Sequence, residues 1–422
     1  MEAINNVDIQ IRTLDDLDCR GKTVLLRLDI NSPLDPKTKK ILNLNRIKAS
    51  LATIKDLLAQ GAKLAIIAHQ GDTLDYHNLI PLAEHAVILS DLLGVKVRYI
   101  DDVAGPAACE AVRALRQGEI VLLGNLRYLT EEVSTFENAV KLKPEEMLNT
   151  YLVRRLAPLV DCYVNDAFAA AHRNAPSMVA FQELLPSAGG RQFIAEVTAL
   201  TRIMQNPARP AVFLLGGAKI SDAFGMMQQA LEKGIADRIL TCGVLGEVML
   251  LAGGYRLGKE TEQFIRDRQL DSFIPQAREY MERFPERICC PVDLAYEDGG
   301  KRCEVGLHEL PVESLLMDIG AKTIEEYELA INSAATVFVN GPAGIYEKPL
   351  FAKGTERLWR AFAGAGGFTV MGGGDTVSAA AKFVDLSQIS YVCTGGGAMV
   401  RFLSGVKLPL LEAMRKAFKR DQ

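Results

Sequence analysis

Short apolar runs alternate with stretches whose apolar residues recur every three or four positions, and this rhythm persists along nearly the whole chain. Thr23–Asp29, Lys63–Ala68, Lys96–Tyr99, Glu119–Leu123 and Cys162–Val164 predict strands; Ile47–Gln60, Leu79–Leu93 and Asn149–Leu156 predict helices between them. The rhythm resumes with strands expected at Ala211–Leu215, Arg238–Cys242, Ile288–Val292, Ala335–Asn340, Phe368–Met371 and Tyr391–Cys393. Strand–helix alternation of this kind predicts parallel sheets with helices on both faces. The expected fold class is α/β, with two doubly wound, Rossmann-like domains. The turn-forming residues Pro186-Ser187-Ala188-Gly189-Gly190 read as a boundary before the long helical pattern Arg191–Gln205. Domains are therefore expected at 1–188 and 189–405, with 406–422 as a closing segment, and a cleft between the domains would suit chemistry on two substrates.

Composition narrows the class. At 422 residues the chain exceeds what one core usually supports, which agrees with two domains. The net charge of −4 argues against a non-specific nucleic-acid binder, which would carry a basic surface. No apolar run approaches the roughly 20 residues needed to cross a bilayer, and Met1–Asn6 lacks the basic start and apolar core of a signal peptide. The eight cysteines include no Cys-x-x-Cys pair, and Cys242, Cys289 and Cys393 sit in apolar runs as small hydrophobes. A reducing cytoplasm suits this usage. The expectation is a cytoplasmic monomer without membrane or nucleic-acid partners.

Four glycine-rich turns each follow an apolar run in the second half: Leu215-Gly216-Gly217-Ala218-Lys219, Asn340-Gly341-Pro342-Ala343-Gly344, Gly372-Gly373-Gly374-Asp375-Thr376 and Thr394-Gly395-Gly396-Gly397-Ala398. A strand that ends in glycines and then opens a helix presents bare backbone N–H groups and a positive helix end. One such turn is explained by glycine's freedom to bend. Four point to a phosphate-handling face at the carboxyl edge of a sheet. Asp375, beside three glycines, marks a magnesium–nucleotide role, because magnesium is held by one or two carboxylates plus phosphate oxygens. Gly21-Lys22-Thr23 imitates the tail of a Walker A loop, but Asp16 stands where that loop needs glycine and the segment precedes its strand.

The first half carries charge instead. Asp29-Ile30-Asn31 closes the first strand and Arg46 follows soon after; His69-Gln70-Gly71 closes the second; Arg127 follows the run ending at Leu123; Asn165-Asp166 leads to His172-Arg173. Groups at the carboxyl ends of several strands converge on one rim. Arg46, His69, Arg127 and Arg173 would together form an anion site for a phosphate or carboxylate.

Asp29-x-Asn31, Arg46-Ile47, His69-x-Gly71, Asn125-x-Arg127, Asn165-Asp166-Ala167-Phe168 with Ala171-His172-Arg173, Gly216-Gly217-Ala218-Lys219, Asn340-Gly341-Pro342, Gly372–Thr376 and Thr394–Gly397 occur in the order seen in phosphoglycerate kinases. The chain resembles that family over nearly its whole length, and His69-Gln70-Gly71 and Asn165–Ala171 look closer to its archaeal branch. The resemblance implies two domains joined by a hinge helix and transfer of a phosphoryl group between ATP and the carboxylate of 3-phosphoglycerate. It implies acid binding by Asp29, Asn31, Arg46, His69, Arg127 and Arg173. It implies nucleotide binding by Gly216, Gly217, Lys219, Asn340, Pro342, Glu347, Gly374, Asp375 and Thr376, with ATP or ADP and Mg2+ as cofactors and Asp375 toward the metal. Arg46 and Lys219 would neutralise the migrating group, helped by backbone N–H groups of Gly373 and Gly396. Leu408–Gln422 would return to the first domain.

Three positions depart from the family. Asp72 replaces an arginine expected after His69-x-Gly71; unit charges 4 Å apart interact by ~1 kcal/mol in water and roughly 4 at an effective dielectric near 20, so a carboxylate facing the acid's phosphate would cost several kcal/mol. His77 and Lys63 are the candidate compensating groups. Gly124 replaces a glutamate ahead of Asn125-x-Arg127, and Ala223 a lysine found in many members. The first two changes concern the acid side, while the nucleotide motifs stay nearly intact, which favours an active phosphotransferase. A relative acting on another small acid, and an ATP-binding relative that no longer turns over, remain as alternatives. A dinucleotide-dependent dehydrogenase would need a Gly-x-Gly-x-x-Gly after the first strand of a half, and there is none.

Overall fold

The structure, a computed structural model, describes residues 8–72 and 76–422; the segment Met1–Asn6 discussed above lies outside the described residues. Fifteen strands are named: β1 Thr23–Leu28, β2 Lys63–Ile67, β3 Val97–Tyr99, β4 Ile120–Leu122, β5 Cys162–Asp166, β6 Ser187–Gly189, β7 Ala211–Leu215, β8 Arg238–Thr241, β9 Ile288–Cys289, β10 Asp293–Asp298, β11 Lys301–Gly306, β12 Leu316–Ile319, β13 Thr336–Asn340, β14 Phe368–Met371 and β15 Tyr391–Val392. The chain forms two compact units, one running through Thr198 and including Lys407–Gln422, the other spanning Ala199–Val406. The helix Arg191–Gln205 carries the chain from one into the other.

The first unit holds a six-stranded sheet of order β3-β4-β2-β1-β5-β6, parallel throughout. All six residues of β1 are buried, as a central strand covered on both faces requires. The helix Asn45–Ala59 buries Ile47, Ser50, Thr53, Ile54 and Leu57, the three-and-four spacing of one helical face. Ile54 and Leu57 join Val24, Leu26, Leu64, Ile66 and Val164 in one core. Ser187–Gly189, read from sequence as turn, instead pairs with Tyr163–Asn165 as an edge strand. Three small residues carry no period to reveal it. The helix Pro409–Arg420 lies in this unit: Leu410 N donates to Ala171 O at 3.2 Å, Arg420 Nη1 to Gln182 O at 2.7 Å, and Lys416 pairs with Glu183 at 3.0 Å.

The second unit holds a six-stranded parallel sheet of order β15-β14-β13-β7-β8-β9. The strands that end in glycine turns, β15, β14, β13 and β7, are consecutive neighbours, so all four turns leave one edge side by side. Connections from β7 run outward on one side through β8, while β13 returns on the other, making β7/β13 the switch point of the sheet. Three turns open helices directly, at Ile220–Glu232, Gly374–Phe383 and Gly396–Leu403. After β13 the next α-helix begins only at Lys353.

A third sheet was not legible in the sequence. β10 pairs antiparallel with β11 across a hairpin at Gly299-Gly300, and with β12 on its other side. The runs Asp293-Leu-Ala-Tyr-Glu-Asp298 and Lys301-Arg-Cys-Glu-Val-Gly306 mix charge into both faces and so hide their extended conformation.

Candidate active site

In the first unit, the strand ends converge on a cavity of about 410 Å³ lined by Asp29, Asn31, Arg46, His69, Arg127 and Arg173, together with Asp72, Asn78 and His172. All six acid-side residues expected from sequence meet here. Arg46, in the first turn of the helix Asn45–Ala59, lies 3.0 Å from Asp29, whose side chain is nearly buried. Asn31 Oδ1 accepts from Gly71 N at 3.0 Å, tying the loop after β1 to the loop after β2. Asn125 braces a second pair of loops, since its Oδ1 accepts from Gln70 N and Arg127 N while its Nδ2 donates to Gln70 O and Ile80 O. Arg173 pairs with Glu137 at 2.7 Å.

Two guanidinium nitrogens in this wall, Arg127 Nη1 and Arg173 Nη2, are buried with no hydrogen-bond partner. Buried donors are almost always paired, so two orphans on residues that line one cavity favour an anion there. Burial, with Arg173 and Arg27 adding positive charge, pushes Arg127 down to about 10, which still leaves it charged at neutral pH.

His69 is held well below its ordinary pKa by burial first and by Arg27, Arg127, Arg46 and Arg173 after it, so the ring is neutral. Its Nδ1 lies 3.0 Å from Arg27 Nη2. A guanidinium can only donate, so Nδ1 accepts and the ring proton sits on Nε2. Arg27 is itself fully buried in β1 and donates to Ser177 Oγ at 3.4 Å, which donates to Glu132 at 2.6 Å. Neither Arg27 nor Glu132 was expected from the sequence; the available signal was a lone cation inside the run Val24-Leu-Leu-Arg-Leu28.

The departures now have surroundings. Asp72 Oδ1 stands 3.9 Å from Arg127 Nη1, with the Asp72 side chain 80 % exposed. Neither His77 nor Lys63 lines the cavity: His77 is exposed, and Lys63 opens β2 at the end opposite His69. A side chain at Gly124 would be crowded, because a Cβ there would lie 3.0 Å from the Asp102 backbone, which would have to shift slightly. Ala223 is buried in its helix.

The second unit holds a pocket, also of about 410 Å³, at the β7/β13 switch point. It is lined by Gly216, Gly217, Lys219, Asn340, Pro342 and Glu347, and by Gly373, Gly374, Asp375, Thr376 and Gly396. Every nucleotide-side residue expected from sequence therefore lies on one wall or another. The turns interlock. Gly217 N donates to Pro342 O at 2.9 Å, Asn340 Nδ2 to Gly372 O at 2.7 Å, and Gly341 N to Thr376 Oγ1 at 2.8 Å. Asn340 and Thr376 thus spend these side-chain bonds bracing neighbouring turns. Gly341 has φ +89°, and a Cβ on it would come within 2.0 Å of Gly216 O. Lys219 Nζ and Asp375 Oδ2 are 3.9 Å apart and largely exposed, a pairing that contributes little by itself. Among the described residues no cluster of three or more His, Cys, Asp or Glu side chains could cage a metal. A lone Asp375 at a helix start fits magnesium only as it is carried by phosphate oxygens.

The opposite walls come from the unforeseen sheet. β12 contributes Leu316, Met317, Asp318 and Ile319, and Phe264, Leu294 and Leu315 add further apolar surface. Asp318 is raised to about 6 by burial but is fully engaged, accepting from Arg302 at 2.8 Å and from Gly354 N and Ile319 N at 2.9 Å. No described helix is long and apolar enough to cross a membrane.

A family model described as phosphoglycerate kinase matches residues 14–406. A phosphoglycerate kinase of Methanothermobacter thermautotrophicus is 41 % identical over 411 residues, covering 97 % of this chain and 98 % of its own. One from Methanococcus maripaludis is 42 % identical over 414 residues, covering 97 % and 99 %. The crystal structure of phosphoglycerate kinase from Pyrococcus horikoshii superposes with a TM-score of 0.86 at 35 % identity, over 97 % of this chain and 100 % of that one. The structure from Coxiella burnetii gives 0.81 at 30 % identity, over 96 % and 99 %.

Proposed function

This chain belongs to the phosphoglycerate kinase family, and we propose that its two pockets divide the family's reaction between them. The reaction is reversible transfer of a phosphoryl group between ATP and the carboxylate of 3-phosphoglycerate. In our reading the first unit's cavity takes the acid. Arg127 and Arg173 meet its phosphate, His69 offers a neutral Nε2–H, and Asp29 and Asn31 hold the polar middle of the molecule. Arg46, steadied by Asp29, meets the reacting carboxylate and then the group in transfer. In the second unit the glycine turns take the nucleotide phosphates on backbone N–H groups, with Gly373 and Gly396 toward the transferring group. Asp375 takes a position on Mg2+, whose part is to neutralise phosphate oxygens. Lys219 adds the second mobile cation.

Transfer without a covalent intermediate is almost entirely a matter of alignment and charge neutralisation, and fixed cations supply both. The acid is gathered by one unit and the nucleotide by the other, so turnover calls for an approach that the helix Arg191–Gln205 is proposed to accommodate as a hinge. A monomer in the cytoplasm, using ATP/ADP and Mg2+, completes the proposal.

The orphaned guanidinium nitrogens of Arg127 and Arg173 carry this reading, because they ask for an anion in that cavity. One observation favours a second reading, a different small acid: Asp72 stands beside Arg127 where the family places positive charge. Coupled measurement of ADP release, with 3-phosphoglycerate against a panel of small acids, separates them. Saturable turnover on 3-phosphoglycerate at ordinary kinase rates is expected. Its absence, together with turnover on another acid, would select the second reading.

A further inference from the structure

Of the ionisable side chains that line the nucleotide-side pocket, one is buried, lacks a partner among the described residues and has no part in the reaction proposed above. Glu247 lies on the helix Gly243–Ala252, lines the pocket, and is 7 % exposed. Among the described residues nothing hydrogen-bonds or ion-pairs with its carboxyl. A buried carboxyl without a partner is costly unless a ligand supplies what the protein does not.

Its position narrows which part of a ligand it meets. The helix begins against the phosphate turns, since a Cβ on Gly243 would lie 2.9 Å from Gly217 N and 3.0 Å from Pro342 O. Glu247 follows four residues later on the same face, about 6 Å further along the axis. Burial alone pushes its pKa up to about 8; no neighbouring charge contributes, so the group stands apart from Lys219 and Asp375. The walls contributed by Phe264, Leu294, Leu315 and Met317 suit a flat aromatic ligand. A carboxylate at the phosphates would repel them; a ribose hydroxyl could pair with either form of the carboxyl, and the 2′-deoxy comparison below separates that contact from one to the base.

Resting on the nucleotide reading of this pocket, we propose that Glu247 is its base-reading residue: the neutral carboxyl donates from its hydroxyl to an adenine ring nitrogen and accepts from the adjacent exocyclic amine. One donor and one acceptor side by side match that edge, whereas a purine without the amine leaves the carbonyl oxygen unpaired.

Direct calorimetric binding of ADP, purine riboside 5′-diphosphate and 2′-deoxy-ADP to the wild type, Glu247→Gln and Glu247→Leu tests this without turnover. The wild type is expected to prefer ADP over the amine-free analogue by ~10-fold. Glu247→Gln keeps that preference, because an amide also donates and accepts, and Glu247→Leu brings the two ligands within about twofold. The 2′-deoxy ratio stays constant across all three proteins. Above pH 8 the wild type loses ADP affinity by about tenfold per unit while Glu247→Gln does not. This pH arm decides the matter if the leucine variant fails to fold. Preference retained in Glu247→Leu, a collapse of the 2′-deoxy ratio instead, or a flat wild-type pH profile would overturn the assignment while leaving the nucleotide reading intact. A wild type that binds none of the three diphosphates would overturn the nucleotide reading itself.

Discussion

The two pockets answer anionic ligands by opposite means. In the first unit, charge comes from side chains, with Arg46, Arg127 and Arg173 gathered from a helix start and two separate loops. In the second, backbone at the ends of four neighbouring strands forms the rim, and the cations there are few and exposed. A site of side chains can be retuned one residue at a time, whereas a site of interlocked backbone resists drift because each turn is braced by the next. Of the three departures from the family, Asp72 lines the side-chain site, Gly124 packs against the Asp102 backbone nearby, and Ala223 is buried in a helix of the second unit. Asp72, 3.9 Å from Arg127, gives that guanidinium an exposed acidic neighbour.

The sharpest way to break the comparison is Arg46→Ala. It is expected to lower kcat by about 10²- to 10³-fold, as loss of one transition-state donor does, while the Kd for ADP measured by calorimetry stays unchanged. A weakened ADP Kd would mean that the two sites are not separable. Gly341→Ala strikes the backbone site: the left-handed φ and the 2.0 Å approach to Gly216 O leave no place for the methyl group. A loss of about 2–4 kcal/mol of stability is expected, read by chemical denaturation, with ADP affinity falling while the KM of the acid changes less.

The pH dependence of stability follows from Glu247, whose folded pKa of about 8 lies above its unfolded value. The neutral form favours the fold, so its contribution is complete below about pH 4.5 and is lost as pH rises through 8. Glu247→Gln should therefore melt increasingly above the wild type between pH 5 and 8, the gap reaching about 2–4 kcal/mol before levelling. Equal melting curves at pH 5 and pH 8 would contradict the burial of an unpartnered acid. The smallest effect belongs to Asp72→Asn. The exposed carboxylate competes for Arg127, so the KM for 3-phosphoglycerate should fall about two- to fivefold at low salt, with most of the gain gone at high ionic strength.

Much of this was legible because apolar strands and glycine turns leave a strong local signal. The four turns were found by their composition alone, and so were the cations after β1, β4 and β5. What escaped was whatever depends on distant partners. Ser187–Gly189 becomes a strand only because β5 is there to pair with it. β10 to β12 carry charges that make sense only against Arg302 and Asp318. Arg27 looked like an interruption in a strand until His69, Ser177 and Glu132 were placed around it. Glu247 left the same kind of faint signal, a lone charge inside the apolar run Cys242–Ala252.

The helix Pro409–Arg420 belongs to the first unit although all of the second unit's sequence precedes it. During synthesis the later-encoded unit is thus contiguous and can close its core from local chain, whereas the earlier-encoded one must wait, with the surface over Ala171 and Gln182 uncovered, until residues beyond Val406 leave the ribosome. Birth order and completion order are reversed.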